Sequence, residues 1–174
     1  MPPVRVGING MGRIGRLFLR AALLDPLYGE AFEVVAFNDI ADPKTTAHLI
    51  KYDSVHGRWQ GEVKASESAI TIDGKEFMYF SVADPAQIPW DRAGVEVVVE
   101  STGLFTKRSD AAKHMQHGVK RVIISAPSKD ADVTIVPGVN DGMLDLSKHT
   151  VVSGASCTTN CLAPMVKVLL DNFG

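Results

Sequence analysis

The sequence predicts an α/β fold of the doubly wound type, in which a mostly parallel sheet carries helices on both faces and a small antiparallel insertion. Short apolar segments of strand composition lie at 4–9, 33–38, 95–100 and 120–125. Apolar residues with helical spacing at 13–24 separate the first two segments. A strand–helix–strand order of this kind requires parallel strands joined by a crossover. Runs such as 97–99 and 122–124 are apolar throughout, as expected of strands covered on both faces.

The remaining segments complete this order. A further helix is predicted at 108–116, and short strands are predicted at 133–137 and 150–153. The stretch 62–81 alternates with a period of two around Asp73-Gly74, which predicts an antiparallel hairpin. A closing helix begins near Ser156, and Pro164 inside it predicts a kink or a later start. The residues predicted to pack this helix are Leu162, Val166, Leu169 and Leu170.

Length and composition indicate one domain and exclude several classes of partner. With 174 residues and 45% hydrophobic content, the chain can bury one substantial core. Its net charge of -2, without a basic cluster, argues against nucleic acid and anionic membranes as partners. No segment reaches the ~18 apolar residues of a membrane span, so we expect a cytoplasmic protein. The two cysteines form neither a disulfide framework nor a zinc site, and no metal is expected.

A glycine-rich turn, Gly10-Met11-Gly12-Arg13-Ile14-Gly15, joins the first strand to the first helix. In dinucleotide sites the first glycine makes the turn, the second admits the pyrophosphate and the third permits close packing. The N–H groups of Arg13 and Ile14 would lie at a helix N-terminus, which favours phosphate. Asp39 follows the second strand, where an acidic residue accepts from the ribose hydroxyls. Together these features predict a Rossmann-type NAD site, and the charge of Asp39 disfavours the 2′-phosphate of NADP.

Cys157 lies where a predicted strand ends and the closing helix begins. In open α/β folds ligands bind at this edge of the sheet, and a helix N-terminus stabilises a thiolate. Cys161 is one helical turn further on, and we predict it to be a small buried residue. From its position alone, Cys157 is equally consistent with a structural role and with a nucleophilic one.

Four segments make the functional prediction from the sequence more specific. They are Gly7–Arg16 (GINGMGRIGR), Lys51–Gly57 (KYDSVHG), Glu100–Phe105 (ESTGLF) and Ser156–Pro164 (SCTTNCLAP). In this order they resemble the phosphorylating glyceraldehyde-3-phosphate dehydrogenases and their erythrose-4-phosphate dehydrogenase relatives. The resemblance extends from one end of the chain to the other, and the nonapeptide around Cys157 is the most specific part of it.

The resemblance implies a reaction, its cofactor and its site residues. The Cys157 thiolate would attack an aldehyde, hydride would pass to NAD, and inorganic phosphate would attack the resulting thioester. The implied cofactor-binding residues are Asn9, Gly10, Gly12, Arg13, Ile14, Gly15, Asn38, Asp39, Ser101, Thr102, Gly103 and Ser125. The implied substrate-binding residues are Ser156, Cys157 and Thr158. Full-length members of the family are expected to be homotetramers that oxidise glyceraldehyde 3-phosphate in glycolysis.

Two positions depart from the family pattern. Most relatives have a basic residue before the Asp84-Pro85 pair, where this chain has Ala83, which puts a contact to the adenine side of NAD in doubt. Gly154 stands where asparagine is usual and is expected to loosen the approach to the cysteine.

No histidine of the chain is expected to act as the base that the family pairs with its cysteine. His149 begins the strand that leads towards Cys157 and is therefore placed at the opposite sheet edge. His114 and His117 are predicted to be solvated near a helix end rather than metal-binding, and His48 is assigned to a surface helix. A structural role is predicted for His56.

In relatives the base follows the cysteine, in a second domain. We therefore expect residues 1–174 to be a single NAD-binding domain with little or no turnover alone. Two alternatives stay open at this point. One is a non-catalytic nucleotide-binding or interaction module, and the other is a domain of an erythrose-4-phosphate dehydrogenase, since sugar-phosphate selectivity lies largely outside this half.

Overall fold

The structure, a computed structural model, describes residues 2–174, which form eleven strands, four α-helices and four 3₁₀ helices. The strands are β1 Val4–Asn9, β2 Phe32–Asn38, β3 Tyr52–Asp53, β4 Gly57–Arg58, β5 Val63–Ala65, β6 Ala69–Ile72, β7 Lys75–Phe80, β8 Val97–Glu100, β9 Arg121–Ile124, β10 Val133–Thr134 and β11 Val151–Ser153. The α-helices are α1 Arg13–Leu24, α2 Pro43–Lys51, α3 Arg108–Ala111 and α4 Cys157–Phe173. The 3₁₀ helices are Pro85–Gln87, Trp90–Ala93, Ala112–Met115 and Asp141–Met143.

Nine of these strands form one sheet, which confirms the predicted fold class. Their order is β10-β11-β9-β8-β1-β2-β7-β6-β5, and every pair from β10 to β7 is parallel. The predicted hairpin at Asp73-Gly74 is confirmed between β6 and β7, with φ of 49° and 83° at the two turn residues. Because β7 also pairs with β2, the antiparallel strands β6 and β5 extend the edge of the sheet. Strands β3 and β4 form a separate antiparallel pair.

Two apolar clusters pack against opposite faces of the sheet. The first contains Leu19 of α1 and Ile50 of α2, and the second contains Trp90 and Ala111 from the segments between β7 and β9. Successive residues of β8 point to opposite faces: Val98 belongs to the second cluster and Val99 to the first. The sheet is less completely covered at β9, where the side chain of Ile123 remains 37% exposed.

Several elements end earlier than the apolar pattern predicts. Strand β10 ends at Thr134 because the side chain of Asn140 donates to the Thr134 carbonyl and accepts from the N–H of Val136. Pro137 also lacks the N–H that a continued ladder needs. The helix predicted at 108–116 is α-helical only through α3 and then tightens into a 3₁₀ turn that ends at Met115, with Gln116 extended and His117 at a φ of 57° after it.

The closing helix begins at Cys157 and runs through Pro164, so the alternative of a later start is wrong. Its predicted packing is also wrong. Leu162, Val166, Leu169 and Leu170 are between 49% and 64% exposed, and none of the helix residues is buried. Helix α4 projects from the sheet edge, and its apolar residues have no cover from the rest of residues 2–174. No helix in the described part of the chain is both long and apolar enough to cross a membrane.

The packing of α1 against the turn before it yields a stability prediction. A Cβ on Gly15 would fall inside the van der Waals radius of the Gly10 carbonyl oxygen, whereas a Cβ on Gly12 would meet no atom within 4 Å. The variant Gly15→Ala should therefore lower the free energy of unfolding by about 2–3 kcal/mol. The matched variant Gly12→Ala should stay within about 0.5 kcal/mol of the parent chain. Urea unfolding followed by circular dichroism measures both, and equal stabilities would contradict the prediction.

Candidate functional site

The three glycines of the turn between β1 and α1 occupy three different environments. Gly10 has φ of 91°, and a side chain there would collide with Thr102, since the Cβ would lie 2.7 Å from its backbone nitrogen. Gly15 is buried against the turn, whereas Gly12 faces open space. Helix α1 has no side-chain cap, so its first N–H groups remain available to a ligand. Gly10 thus makes the turn and Gly15 packs closely, and the role of Gly12 towards a pyrophosphate stays a prediction.

A cleft of about 330 Å³ opens beside this turn, between the ends of β1, β2 and β8. Its lining residues are Asn9, Gly10, Gly12, Asn38, Asp39, Ile40, Val82, Ala83, Ser101, Thr102, Leu104 and Phe105. The side chains of Ile40 and Leu104 are 80% and 75% exposed, although both are apolar. Exposed apolar side chains at a cleft suit a flat ligand that covers them.

Asp39 ties the end of β2 to the glycine turn. One carboxylate oxygen accepts from the N–H of Met11 at 2.5 Å, and the other accepts from the N–H of Ala41 at 2.9 Å. Each oxygen has two lone pairs, so the carboxylate can still accept from a ligand hydroxyl. On the other side of the turn, Arg16 donates to the carbonyl of Met11 at 2.8 Å. Burial, together with the positive charge of Arg13, lowers the pKa of Arg16 from its usual value.

Below the cleft, the carboxylate of Glu100 is 2% exposed and accepts four hydrogen bonds. One oxygen accepts from the N–H and the hydroxyl of Thr102, at 2.8 and 2.5 Å. The other accepts from Asn9 Nδ2 at 2.6 Å and from His114 Nε2 at 2.9 Å. Since all four partners donate, the group is held as an ionised carboxylate.

Three further contacts fix the orientation of this network. Trp90 Nε1 can only donate, and it lies 3.2 Å from His114 Nδ1, so that nitrogen must carry a lone pair and His114 is a neutral imidazole with its proton on Nε2. On the opposite side, Asn38 Nδ2 donates to Asn9 Oδ1 at 2.8 Å. Its own Oδ1 accepts from the N–H of Val82. The network therefore joins β1, β2 and β8 to the 3₁₀ turn after α3.

The strand ends continue from the cleft to the cysteine along the same sheet edge. The N–H of Ser125, after β9, donates to the carbonyl of Glu100 at 3.0 Å. The N–H of Gly154, after β11, donates to the carbonyl of Ile124 at 2.9 Å. Three strand spacings separate β1 from β11, a distance of about 14 Å. Ser125 thus lies between the glycine turn and the start of α4.

Cys157 is the first residue of α4, and its side chain is exposed. Ser156 caps the helix, because its hydroxyl accepts from the N–H of Thr159 at 2.9 Å. The same hydroxyl lies 2.9 Å from that of Thr158. The first N–H groups of a helix lack intrahelical acceptors, so those of Cys157 and Thr158 remain free to bind a ligand. The prediction that Cys161 is buried is wrong: this thiol is exposed, because nothing in the described residues 2–174 packs over α4 there.

The histidines differ from the predictions in one case. His114, predicted to be solvated, is fully buried, because Trp90 and Glu100 supply partners from distant segments. His48 lies exposed on α2, as predicted. The N–H of His56 donates to Asp53 Oδ1 at 2.8 Å, which supports a structural role, and together with the N–H of Val55 it lowers the pKa of Asp53 well below its usual range.

The structure brings most of the predicted cofactor residues together at one cleft. Ser156, Cys157 and Thr158 lie outside this cleft, further along the same sheet edge, with Ser125 between them and the cleft. Arg13 and Ile14 begin the helix beside the cleft, and Gly103 lies between two lining residues. The side chains of Asn9 and Asn38 point into the buried network instead. The roles of Glu100, Trp90 and Arg16 were not predicted from the sequence. For Glu100 a signal was available, because it is a charged residue that ends the apolar run Val97-Val98-Val99.

The residues at the cleft suit a dinucleotide. Gly12 leaves the space that a phosphate needs above the uncapped N-terminus of α1. The carboxylate of Asp39 suits ribose hydroxyls, and the apolar side chains of Ile40 and Leu104 suit a ring face.

The two departures from the family pattern have different surroundings. Ala83 lines the cleft, so at this position the described chain has no basic side chain to contact the adenine side of NAD. A Cβ on Gly154 would meet only the Ile124 carbonyl, at 3.6 Å, so nothing there prevents a side chain.

The Glu100 network yields a prediction about stability. In Glu100→Gln the side chain keeps its shape, but either amide orientation turns an NH₂ group towards two donors. We expect the free energy of unfolding to fall by about 2–4 kcal/mol. Glu76→Gln, which changes an exposed residue of β7, is the matched control and should have almost no effect. Equal urea midpoints for the two variants would contradict an ionised Glu100 that accepts all four bonds.

Comparisons with known proteins agree with this geometry. The sequence model of the family described as "Glyceraldehyde 3-phosphate dehydrogenase, NAD binding domain" matches residues 4–108. The chain is 56% identical over 171 residues to glyceraldehyde-3-phosphate dehydrogenase of Streptomyces coelicolor, an alignment that covers 98% of this chain and 50% of that protein. It is 58% identical over 170 residues to glyceraldehyde-3-phosphate dehydrogenase 1 of Bacillus cereus, with the same coverage.

The relative from Geobacillus stearothermophilus, also a glyceraldehyde-3-phosphate dehydrogenase, is 56% identical over 171 residues, again covering 98% of this chain and 50% of the relative. The chain thus spans about half the length of the curated relatives it matches. The chain belongs to the glyceraldehyde-3-phosphate dehydrogenase family and carries its NAD-binding domain.

Proposed function

We propose that this chain is the cofactor half of an enzyme that oxidises glyceraldehyde 3-phosphate with NAD and inorganic phosphate, with Cys157 as the nucleophile. The observation that carries the proposal is the shared sheet edge: the glycine turn and the start of α4 both follow the carboxyl ends of parallel strands. Ligands of open α/β sheets bind at this edge. One extended dinucleotide bound along this edge would therefore pass from the cleft towards the thiol.

The cofactor-binding role is assigned to the cleft. The N–H groups of Arg13 and Ile14 would hold the pyrophosphate, and Asp39 would accept from the adenosine ribose. The backbones of Ser101, Thr102 and Gly103 would line the path towards the cysteine, with Ser125 beside it. The other residues assigned to this role, mostly through packing or backbone, are Asn9, Gly10, Gly12, Gly15 and Asn38.

The thiol chemistry is assigned to the start of α4. As a thiolate, Cys157 forms a bond from Sγ to the aldehyde carbon, and the carbonyl electron pair moves to the oxygen, giving a thiohemiacetal on the protein. The free N–H groups of Cys157 and Thr158 suit that oxygen, and the hydroxyls of Ser156 and Thr158 flank the substrate. When NAD is bound, its nicotinamide ring supplies the acceptor for the hydride that this carbon loses. Inorganic phosphate then bonds to the thioester carbon and releases the Cys157 thiolate.

The general base of this reaction is assigned to residues outside this chain. Both ring nitrogens of His114 are used within the buried network, and His149 Nδ1 accepts from the N–H of Asp145. The exposed apolar residues of α4 support a further packing partner, which in a full-length relative would be the remainder of the chain. We accordingly propose that residues 1–174 form one NAD-binding domain of a cytoplasmic, homotetrameric enzyme, with little or no turnover alone.

The charge of Asp39 predicts a preference between cofactors. The chain should bind NAD more tightly than NADP by at least about tenfold, since a carboxylate next to the 2′-phosphate is repulsive. Asp39→Asn keeps an oxygen for the N–H of Met11 but removes the charge, and should reduce the ratio of the two affinities to near one. Isothermal titration at millimolar cofactor measures both constants.

The control for this titration is Asp171→Asn, which removes the same charge from the exposed far end of α4. Its affinity ratio should match that of the parent chain. If no heat is detected with NAD at millimolar concentration, the cofactor role of the cleft is refuted.

The two thiols of α4 allow an internal comparison. Both are exposed, but only Cys157 lies at the helix N-terminus, where a thiolate is stabilised. Iodoacetamide at neutral pH should therefore alkylate Cys157 about three- to tenfold faster than Cys161. Mass spectrometry of the modified peptides gives both rates from one sample. Equal rates would argue against Cys157 as the nucleophile and in favour of a non-catalytic nucleotide-binding module.

A further inference from the structure

We infer that Asn160 is a positioning residue for Cys157, and that its side-chain amide holds the strained turn that presents the thiol. The inference rests on the proposed nucleophilic role of Cys157 and adds the device that orients it. Asn160 lies one helical turn into α4, three residues after the thiol, and is exposed.

The turn before Cys157 contains an unfavourable backbone conformation. Ala155 has φ of 61°, in the left-handed region, and it is 6% exposed. For a residue with a Cβ this conformation is unfavourable, so it persists only where surrounding contacts enforce it. Gly154 immediately before it has no positive φ, so the strain falls on alanine although glycine is its neighbour.

Asn160 holds the carbonyls on both sides of this strained residue. Its Nδ2 donates to the carbonyl of Gly154 at 2.7 Å and to the carbonyl of Ser156 at 3.0 Å. An amide NH₂ group has two protons at a fixed angle, so one side chain can serve both acceptors. A hydroxyl has a single proton and a carboxylate has none. Asparagine is therefore the side chain of this size that can bracket Ala155.

The opposite side of the turn is fixed to the sheet. The N–H of Gly154 donates to the carbonyl of Ile124 at 2.9 Å, and Ser153 Oγ donates to the carbonyl of Ala126 at 2.8 Å. The same hydroxyl accepts from the N–H of Ala155 at 3.1 Å. Strand β9 thus anchors the turn from below, and Asn160 closes it from the helix. The position of Cys157 relative to Ser125 and the cleft depends on both attachments.

The test measures the alkylation of Cys157 relative to that of Cys161 in the whole chain. Asn160→Ala removes both hydrogen bonds while alanine favours the helix. The rate ratio should fall about three- to tenfold, and it should be measured from about pH 6 to about 9 because thiolate formation governs both rates. A general loss of stability would affect the two thiols of one helix alike, so the ratio isolates the position of Cys157.

Two further variants complete the design. Asn172→Ala removes the bond of 2.7 Å from Asn172 Nδ2 to the carbonyl of Val168, an equivalent contact at the other end of α4, and should leave the ratio unchanged. Asn160→Ser retains one donor, which can reach the carbonyl four residues back, and should restore part of the ratio. If Asn160→Ala fails to fold by circular dichroism, the comparison between Asn160→Ser and the parent chain decides the question.

The outcomes separate this inference from the proposed function. If Cys157 is no more reactive than Cys161 in the parent chain, the proposed nucleophile is refuted. If Cys157 is more reactive there, but Asn160→Ala behaves like Asn172→Ala, the nucleophile stands and the positioning role of Asn160 is overturned. A fall confined to the Asn160 variants, with partial recovery in Asn160→Ser, supports it.

Discussion

The buried carboxylate of Glu100 is the constraint around which the cofactor side of this domain is arranged. An ionised group without water is costly unless every lone pair has a donor, and here the donors come from β1, from Thr102 just after β8 and from a distant 3₁₀ turn. The four hydrogen bonds to the Glu100 carboxylate fix the spacing of the strand ends and the direction of the Thr102 N–H. The cleft is therefore shaped from below by a charge that never meets solvent.

This arrangement explains why the cleft can remain open without losing its form. The glycines of the turn have no side chains, so besides the buried Met11 its position depends on hydrogen bonds to its backbone. Asp39 accepts from the N–H of Met11, Arg16 donates to the Met11 carbonyl, and Ser101 donates to the Gly10 carbonyl. All three act through the backbone of the turn. The N–H groups that begin α1 remain without a side-chain acceptor.

The sequence predicted the fold where local signals agreed with long-range packing. Strand β1 and helix α1 match their predicted bounds because the glycine turn marks the end of one and the start of the other. His114 was misjudged because its burial depends on Glu100 and Trp90, which no local pattern connects to it. The left-handed Ala155 gave no signal either, since glycine is the residue that normally indicates such a conformation. For α4 the apolar periodicity was real, but a pattern cannot identify which surface will cover it.

The bond between Trp90 and His114 makes the interior of the domain observable. The chain has two tryptophans, and their indole N–H groups occupy contrasting places. That of Trp90 is buried and bonded to an imidazole, whereas that of Trp59 donates to Asp73 near the antiparallel edge. Exchange of the first proton with solvent requires the core network to separate, and exchange of the second requires only local opening. The two indole protons therefore report, in the same molecule, on the core of the sheet and on its edge.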